Sequence, residues 1–481
     1  MDKQQKQIYL RSISLDNYKC FKGNNVFSFV QENGRDNFKI CQWTVFLGNN
    51  GTGKTNLLKV IANMEPEPVE TSVDNGGKEG KAKSHDNQKI DDMMVDMGIS
   101  LGDKKISDPI EDNKNKQKYR PHVYERFSGK GYNVNASFIY SNSSEKLSKK
   151  TGHSLNRSVV RAGNMLISSP TSIGYTNLSN SIDPTAELAE FKIYAYGVNR
   201  IASKQGLSSR MPSDAATLFQ DDVRLLNFED WLLQLELAST TTNNSKKAGA
   251  KKIIKRLTNL FRSSELFPNI DSFSLETDDN FNNRILFTTQ DGKFHFEDLG
   301  YGYQCMLAWV FDFCKRMYDR YPNSENPLAE PAVVLIDEID LHLHPKWQRG
   351  LIKALSDTFP NTQFIVSTHS PIIIQSLSNV NLYVLNHQED GSVKAERIIG
   401  RNWEGYQMEE ILQETMDVEG GDTSEELKEK LDHFNKAYAD NNLIKATNLY
   451  NEIIRSIDPN GSLMQRLTNQ LRYLKSYNEE N

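Results

Sequence analysis

The stretch that most constrains this chain is Gly48-Asn49-Asn50-Gly51-Thr52-Gly53-Lys54-Thr55. An apolar run, Trp43 to Leu47, leads into it, and Asn56-Leu57-Leu58-Lys59-Val60-Ile61-Ala62 follows with the spacing of an amphipathic helix. Strand, glycine-rich loop and helix together form the context in which this pattern cradles phosphate. The glycines let backbone N–H groups turn inward around phosphate oxygens, and the helix N-terminus adds partial positive charge. Lys54 is expected to reach the β- and γ-phosphates of a nucleoside triphosphate, and the Thr55 hydroxyl to ligate Mg²⁺.

A second half of such a site is legible further on. Pro331-Ala332-Val333-Val334-Leu335-Ile336 is a continuous apolar run, as in a buried parallel strand, and it ends in Asp337-Glu338. Ligands sit beyond the carboxyl ends of such strands. Asp337 is placed to hold Mg²⁺, and Glu338 to orient or deprotonate an attacking water. Thr362 to Thr368 gives another buried strand with His369 just past its end, a position that suits contact with the γ-phosphate. Leu299-Gly300-Tyr301-Gly302-Tyr303-Gln304 is a glycine-containing turn before an apolar helix from Met306 to Phe313, and so a further potential phosphate contact. His342 and His344 lie near acids and admit a metal reading, but a loop leading to a helix that starts near Pro345 accounts for them better.

Composition sets the outer limits. A chain of 481 residues exceeds one simple core, and 25% charged with 37% hydrophobic residues suits a globular protein with some polar excess. No apolar run reaches membrane-spanning length, the Met-Asp-Lys-Gln-Gln-Lys-Gln start lacks a signal-peptide core, and Cys20, Cys41, Cys305 and Cys314 lack metal or redox spacing. A cytoplasmic chain with buried, reduced thiols and no membrane partner is expected. The net charge of −6 argues against a uniformly basic coat, while leaving room for a local basic groove.

Residues 8–47 alternate like an antiparallel sheet, with strands at 8–13, 26–29 and 39–47 and turns at Asn24-Asn25 and Asn33-Gly34. Residues 63–185 read as an insertion, partly disordered, crowded with polar residues over 65–120 and strand-like at 134–140 and 158–160. It shows no heptads. Phe191 to Gly197 reads as a buried strand, and Arg200 beyond its end is within reach of a nucleotide but is better read as a solvated loop arginine. A helix is expected over 217–238, with Leu225, Phe228, Leu232, Leu235 and Leu237 mostly on one side, then a basic loop over 240–252, a helix to Phe261 and strands around 271–288.

The order of P-loop, glycine-containing turn, Asp-Glu strand and His strand resembles the ATP-binding-cassette ATPases, nearest the RecF- and chromosome-maintenance-like branch. Asp337-Glu338-Ile339-Asp340-Leu341-His342-Leu343-His344-Pro345 with Ser367-Thr368-His369-Ser370-Pro371 is similar in wording to the anti-phage defence ATPases that include the OLD and Septu PtuA families. The resemblance covers residues 8–62 and roughly 186–400. It implies an α/β ABC-type fold, a mixed sheet with an antiparallel β subdomain, split into 1–62 and 186–400. It also implies ATP and Mg²⁺ as ligands and a homodimer or higher homo-oligomer in which the turn 299–304 completes a partner's ATP site. Gly300 stands where that family has a serine on the γ-phosphate, so slow hydrolysis, or ATP as a conformational signal, is expected.

Residues 401–481 read as a helical tail rather than the Toprim nuclease of OLD proteins. Leu427, Leu431, Phe434 and Tyr438 share one stripe; Leu443, Ala446, Leu449, Ile453 and Ile457 share another. The stripes either pack on the ATPase core or dock a partner. Such a tail resembles the end of Septu ATPases, whose nuclease is a separate HNH-type protein resembling PtuB, with DNA reached through the complex. The alternatives are a RecF-like repair ATPase and an ATP-dependent assembly scaffold without significant hydrolysis.

Overall fold

The computed structural model describes residues 7–32, 38–69, 118–121, 133–141, 151–162, 165–169, 191–204, 212–262, 265–277, 279, 281, 283–377, 380–416, 425–457 and 462–480. They form two compact units that meet in sequence between Tyr406 and Gln407. The disorder expected between residues 63 and 185 falls largely outside the described residues, as does the Asn33-Gly34 turn.

In chain order the first unit contains β1 (Gln7–Tyr18), β2 (Phe21–Ser28), β3 (Val30–Glu32), β4 (Phe38–Ile40), β5 (Trp43–Gly48) and α1 (Lys54–Ala62). Next come β6 (Pro66–Val69), β7 (Lys118–Pro121), β8 (Asn133–Ser141), β9 (Thr151–Ala162), β10 (Met165–Ser169) and β11 (Ile193–Tyr196). After these lie α2 (Ala216–Phe219), α3 (Phe228–Thr240), α4 (Asn244–Arg262), β12 (Ile270–Thr277), β13 (Asn283–Thr289) and β14 (Gly292–His295). The unit closes with α5 (Tyr301–Arg320), β15 (Ala332–Ile336), α6 (Pro345–Thr358), β16 (Thr362–Thr368), α7 (Pro371–Gln375), β17 (Asn381–His387) and β18 (Val393–Ile399).

The central sheet runs β11-β15-β16-β5-β17-β18. Every pairing in it is parallel except that of β17 with β18. Register places Leu47 opposite Thr368, and Ile336 opposite both Val366 and Tyr196. The loops after β5, β11, β15 and β16 therefore leave the sheet at one edge. Short strands with no exposed side chain, such as β5, β15 and β16, are what a sheet covered on both faces requires.

An antiparallel sheet, ordered β2-β1-β8-β9-β4-β3, packs on this one. Leu10, Ile13, Leu15, Phe27 and Phe29 meet Phe46, Leu57, Leu58, Ile61, Leu335, Ile365 and Tyr383 in a fully buried core. Gln363 ties the two layers: its Nε2 donates to the Leu10 carbonyl and its Oε1 accepts from the Leu10 N–H, both at 3.0 Å. The β1–β8 register shifts between Leu10 and Ser12, and the Gln363 amide serves both main-chain groups of the residue on one side of that shift.

Several local expectations give way to tertiary context. Asn24 and Asn25 lie inside β2, paired with Asp16 and Leu15, and the hairpin turns instead at Lys19-Cys20. The run 39–47 divides into β4 and β5, which belong to different sheets. The helix expected over 217–238 is interrupted. Leu225 bonds through its N–H to the Ile201 carbonyl, and α3 restarts after Asn227, whose side chain accepts from the Asp230 N–H at 3.2 Å. Leu237 is 56% exposed, off the buried stripe. The basic loop expected over 240–252 is mostly helix α4. Lysine and alanine favour helix, and Asn243 caps the start by accepting from the Lys246 N–H. Cys41, Cys305 and Cys314 are buried free thiols, while Cys20 is half-buried.

The second unit contains α8 (Met408–Met416), α9 (Glu425–Ala439), α10 (Leu443–Ile453) and α11 (Ser462–Glu480). The two stripes of the tail pack on each other and on α11. Phe434, Ala437, Ala446, Ile453, Leu467, Leu471 and Leu474 form its core, with Leu427, Leu431, Tyr438, Leu443, Leu449 and Ile457 around it. No described helix of the chain is long and apolar enough to cross a membrane.

Candidate functional site

The loop after β5 needs its glycines where they stand. Gly51 and Gly53 take φ of +80° and +86°, conformations that strain any residue with a Cβ. A Cβ on Gly48 would lie 2.5 Å from the Leu385 main-chain oxygen, so β17 closes the loop from one side. Cys20 closes it from another, its Sγ 2.6 Å from where a Gly53 Cβ would sit. His387, at the end of β17, brings Nε2 to 3.4 Å from the Asn50 carbonyl. Thr52 braces the turn by donating to the Asn49 carbonyl at 2.8 Å.

Lys54 is buried, and its ammonium donates to the Gly48 and Asn49 carbonyls at 2.7 and 3.0 Å. Burial lowers its pKa, against the pull of Asp337, Glu338 and Asp340. Thr55 donates from Oγ1 to Asp337 Oδ2 at 2.7 Å, so a hydroxyl on α1 and a carboxylate at the end of β15 converge on one point. Asp337 is itself buried and accepts at Oδ1 from the Ser367 hydroxyl at 2.5 Å. That hydroxyl also accepts the Glu338 N–H at 2.7 Å. Hydroxyl and carboxylate oxygens so arranged are the hard donors a Mg²⁺ ion takes, and the residues present fit that ion.

Glu338 has a left-handed backbone, φ +48°. Arg200 holds it there. The guanidinium is 2% exposed and donates from Nη2 to the Glu338 carbonyl at 2.6 Å and the Asp337 carbonyl at 3.3 Å. The solvated loop arginine expected from the sequence is therefore a buried clamp, because β11 lies beside β15 and delivers its loop beneath the Asp-Glu turn. His369 is half-buried at the end of β16. Burial first, then the Lys54 charge, lowers it below the usual histidine value, with Glu338, Asp340 and Asp337 opposing. Thr368 donates to Asp340, and Ser370 caps α7 while donating to Gln348 at 2.6 Å.

The turn 299–304 has its described contacts elsewhere. Gly300 opens α5 without a side chain to cap it. A Cβ on Gly302 would lie 2.4 Å from the His342 carbonyl, and the Tyr301 and His342 rings meet edge to face at 4.6 Å. Tyr303 donates to the Pro268 carbonyl at 2.6 Å, and Gln304 holds the Leu299 carbonyl at 2.7 Å. His344 caps α6 through Nδ1, accepting from the Lys346 N–H at 3.2 Å. Those are structural duties for both histidines, and among the described residues no cluster of three or more His, Cys, Asp or Glu is arranged to hold a metal.

Lys54, Thr55, Asp337, Glu338 and His369 thus gather at one sheet edge. Sequence reading missed Ser367 and undervalued Arg200. The hydroxyl pair Ser367-Thr368 at a strand end was the available signal for the first, but the strand order needed for the second is not a local property.

A glycine loop opening onto a helix, with an acidic strand end and a histidine strand end beside it on a parallel sheet, defines a P-loop ATPase. The chain belongs to the family AAA_15, described as an AAA ATPase domain, whose pattern matches residues 9–374. Among curated relatives, the retron Vc95 probable ATPase of Vibrio cholerae serotype O1 biovar El Tor is 45% identical over 89 residues, 18% of this chain and 17% of that protein. The Septu protein PtuA of Bacillus thuringiensis is 27% identical over 261 residues, 53% of this chain and 64% of that protein. PtuA of Bacillus mycoides (strain KBAB4) is 31% identical over 227 residues, 46% of this chain and 28% of that one. The chain thus spans less than two-thirds of the length of each of these relatives. Similar solved structures include the SMC head domain from Thermotoga maritima, 12% identical over 81% of this chain and 98% of that chain, with a TM-score of 0.34. The recombination mediator protein RecF-ATPrS is another, 12% identical over 81% of this chain and 99% of that chain, with a TM-score of 0.32.

Proposed function

We propose that this chain is the ATPase subunit of an anti-phage defence system, in which the nucleotide state of a homo-oligomer controls an HNH-type nuclease supplied in trans. The observation that carries the ATPase site is the Thr55–Asp337 hydrogen bond of 2.7 Å, which joins the P-loop helix to the acidic strand end. Similarity to Septu PtuA and to a retron ATPase supports the defence role.

In this reading ATP is the substrate. The N–H groups of residues 48–53 wrap its phosphates, and Lys54 leaves the Gly48 and Asn49 carbonyls for the β- and γ-phosphates. Thr55 and Asp337 would hold Mg²⁺, which when bound neutralises phosphate charge. Glu338 accepts a proton from the attacking water, and its left-handed backbone, fixed by Arg200 and Ser367, sets where the carboxylate starts from. His369, favoured in its neutral form by burial, supplies a ring N–H for the γ-phosphate. The turn 299–304 of a second subunit completes the site.

Gly300 favours a second reading. Without a side chain at the head of α5, the turn lacks the serine hydroxyl that the family resemblance implies for the γ-phosphate, which suits ATP-dependent assembly with little hydrolysis.

The test is to purify the chain with and without the product of its neighbouring gene and to follow DNA degradation across ATP concentrations. Cutting confined to the complex and altered by ATP is the expected result. A neighbour that neither binds nor cuts would overturn the nuclease-control reading.

A further inference from the structure

Helix α4 concentrates charge of one sign. Its 19 residues, NSKKAGAKKIIKRLTNLFR, contain five lysines, two arginines and no acid, in a chain whose net charge is −6. The helix sorts them. Ala250, Leu257, Leu260 and Phe261 are buried, with Phe261 packed on Phe267, Phe273, Phe287 and Phe311 at ring separations of 5.0 to 6.2 Å. Lys251, Lys252 and Lys255 are exposed on the opposite side, with Lys247 at its margin. Lys247, Lys251 and Lys255 recur at every fourth residue, about 6 Å apart along the axis.

A basic run that serves only as a solvated face is ordinarily laced with acids at i±3 and i±4. Here the helix supplies none, and among the described residues none of Lys246, Lys247, Lys251, Lys252 or Lys255 has an ion-pair partner. A row of unneutralised cations costs self-repulsion in the free protein, which a polyanion relieves. Duplex nucleic acid carries a charge about every 1.7 Å of its axis and binds such rows by releasing counterions.

We infer that the Lys247-Lys251-Lys252-Lys255 face of α4 is a docking surface for the phosphodiester backbone of nucleic acid. The surface is sequence-blind, since flexible lysine ammoniums meet phosphates as point charges and carry no bidentate base readout. This inference is independent of nuclease control: the face belongs to the ATPase unit and needs no second protein.

The experiment is fluorescence anisotropy of labelled duplex DNA and of duplex RNA with the full chain, and with the variant Lys247→Gln/Lys251→Gln/Lys252→Gln/Lys255→Gln. Glutamine keeps helix propensity and length, and none of the four residues belongs to the ATP site, so basal ATPase activity and Tm serve as controls for folding. If four phosphates are neutralised, raising salt from ~50 to ~200 mM weakens wild-type binding about 10²-fold. The variant is expected to bind at least ~10-fold more weakly at the lower salt, with most of that salt dependence gone. Binding of only one of the two duplexes supports the surface and names the nucleic acid. A variant as tight and as salt-sensitive as wild type overturns the inference. So does a wild-type chain that binds phosphatidylserine vesicles but neither duplex, since the face would then serve a membrane.

Discussion

The Nη2 of Arg200 donates to the main-chain oxygen of Glu338 at 2.6 Å, so the residue proposed to activate water is fixed through its backbone by a buried cation from the loop after the neighbouring strand. A carbonyl left without that donor in a buried turn costs ~1–3 kcal/mol, and the left-handed Glu338 would relax toward commoner conformations. Arg200→Ala is therefore expected to lower kcat for ATP by roughly 10–100-fold while moving KM far less. Arg200→Lys should recover part of the rate. Steady-state ATPase kinetics with a thermal-unfolding control check this, and equal losses in kcat and ATP binding would place Arg200 on the substrate instead.

Ser367 serves Asp337 and Glu338 at once, donating to the first and accepting from the second. Ser367→Ala removes both bonds. Loss of about 1–3 kcal/mol of stability is expected, and the Mg²⁺ concentration for half-maximal ATPase should rise, because the Asp337 carboxylate is no longer oriented. Titration of activity against Mg²⁺ is the check. An unchanged midpoint would show that Thr55 alone orients Asp337.

Lys54 rests on the Gly48 and Asn49 carbonyls, and so spans the ground that phosphates are proposed to take. Lys54→Ala is expected to abolish measurable ATP binding with little change in fold. Equilibrium binding of a fluorescent ATP analogue would report it, and retained affinity within about threefold would contradict the assignment.

Glu229, half-buried on α3, is pushed up to about 7, first by burial and then by the charge of Glu297. The folded-state value lies above the unfolded one, so its favourable contribution is fully present below the unfolded carboxylate value and is lost as pH rises through about 7. Glu229→Gln should therefore stabilise the protein above neutral pH by roughly 1–2 kcal/mol, the partial exposure of the group reducing the effect, with no gain at pH values below the unfolded carboxylate range. Urea unfolding at several pH values tests the sign.

Much of this site was written in local pattern. β5 and β15 are short, largely apolar runs whose ends carry Gly48 and Asp337, and β16 has the apolar centre Phe364-Ile365-Val366 ahead of His369, as strands buried on both faces tend to. What local pattern could not convey was adjacency. Arg200 reads as a loop residue until β11 is known to lie beside β15, and residues 39–47 read as one strand until Cys41 and Gln42 are seen to divide two sheets. Helix α4 was hidden for a different reason. Its first half lacks an apolar stripe, so only helix propensity and the Asn243 cap mark it. The tail stripes were visible, but their destination depended on α11, whose buried Leu467, Leu471 and Leu474 supply the third wall of the core.

The central claim is that Glu338 activates water for hydrolysis of an ATP held by the P-loop. The most direct measurement is single-turnover hydrolysis with parallel ATP-binding titration for Glu338→Gln. Binding within a few-fold of wild type and hydrolysis slowed by about 10²–10⁴-fold is the predicted result. Hydrolysis at the wild-type rate would contradict it.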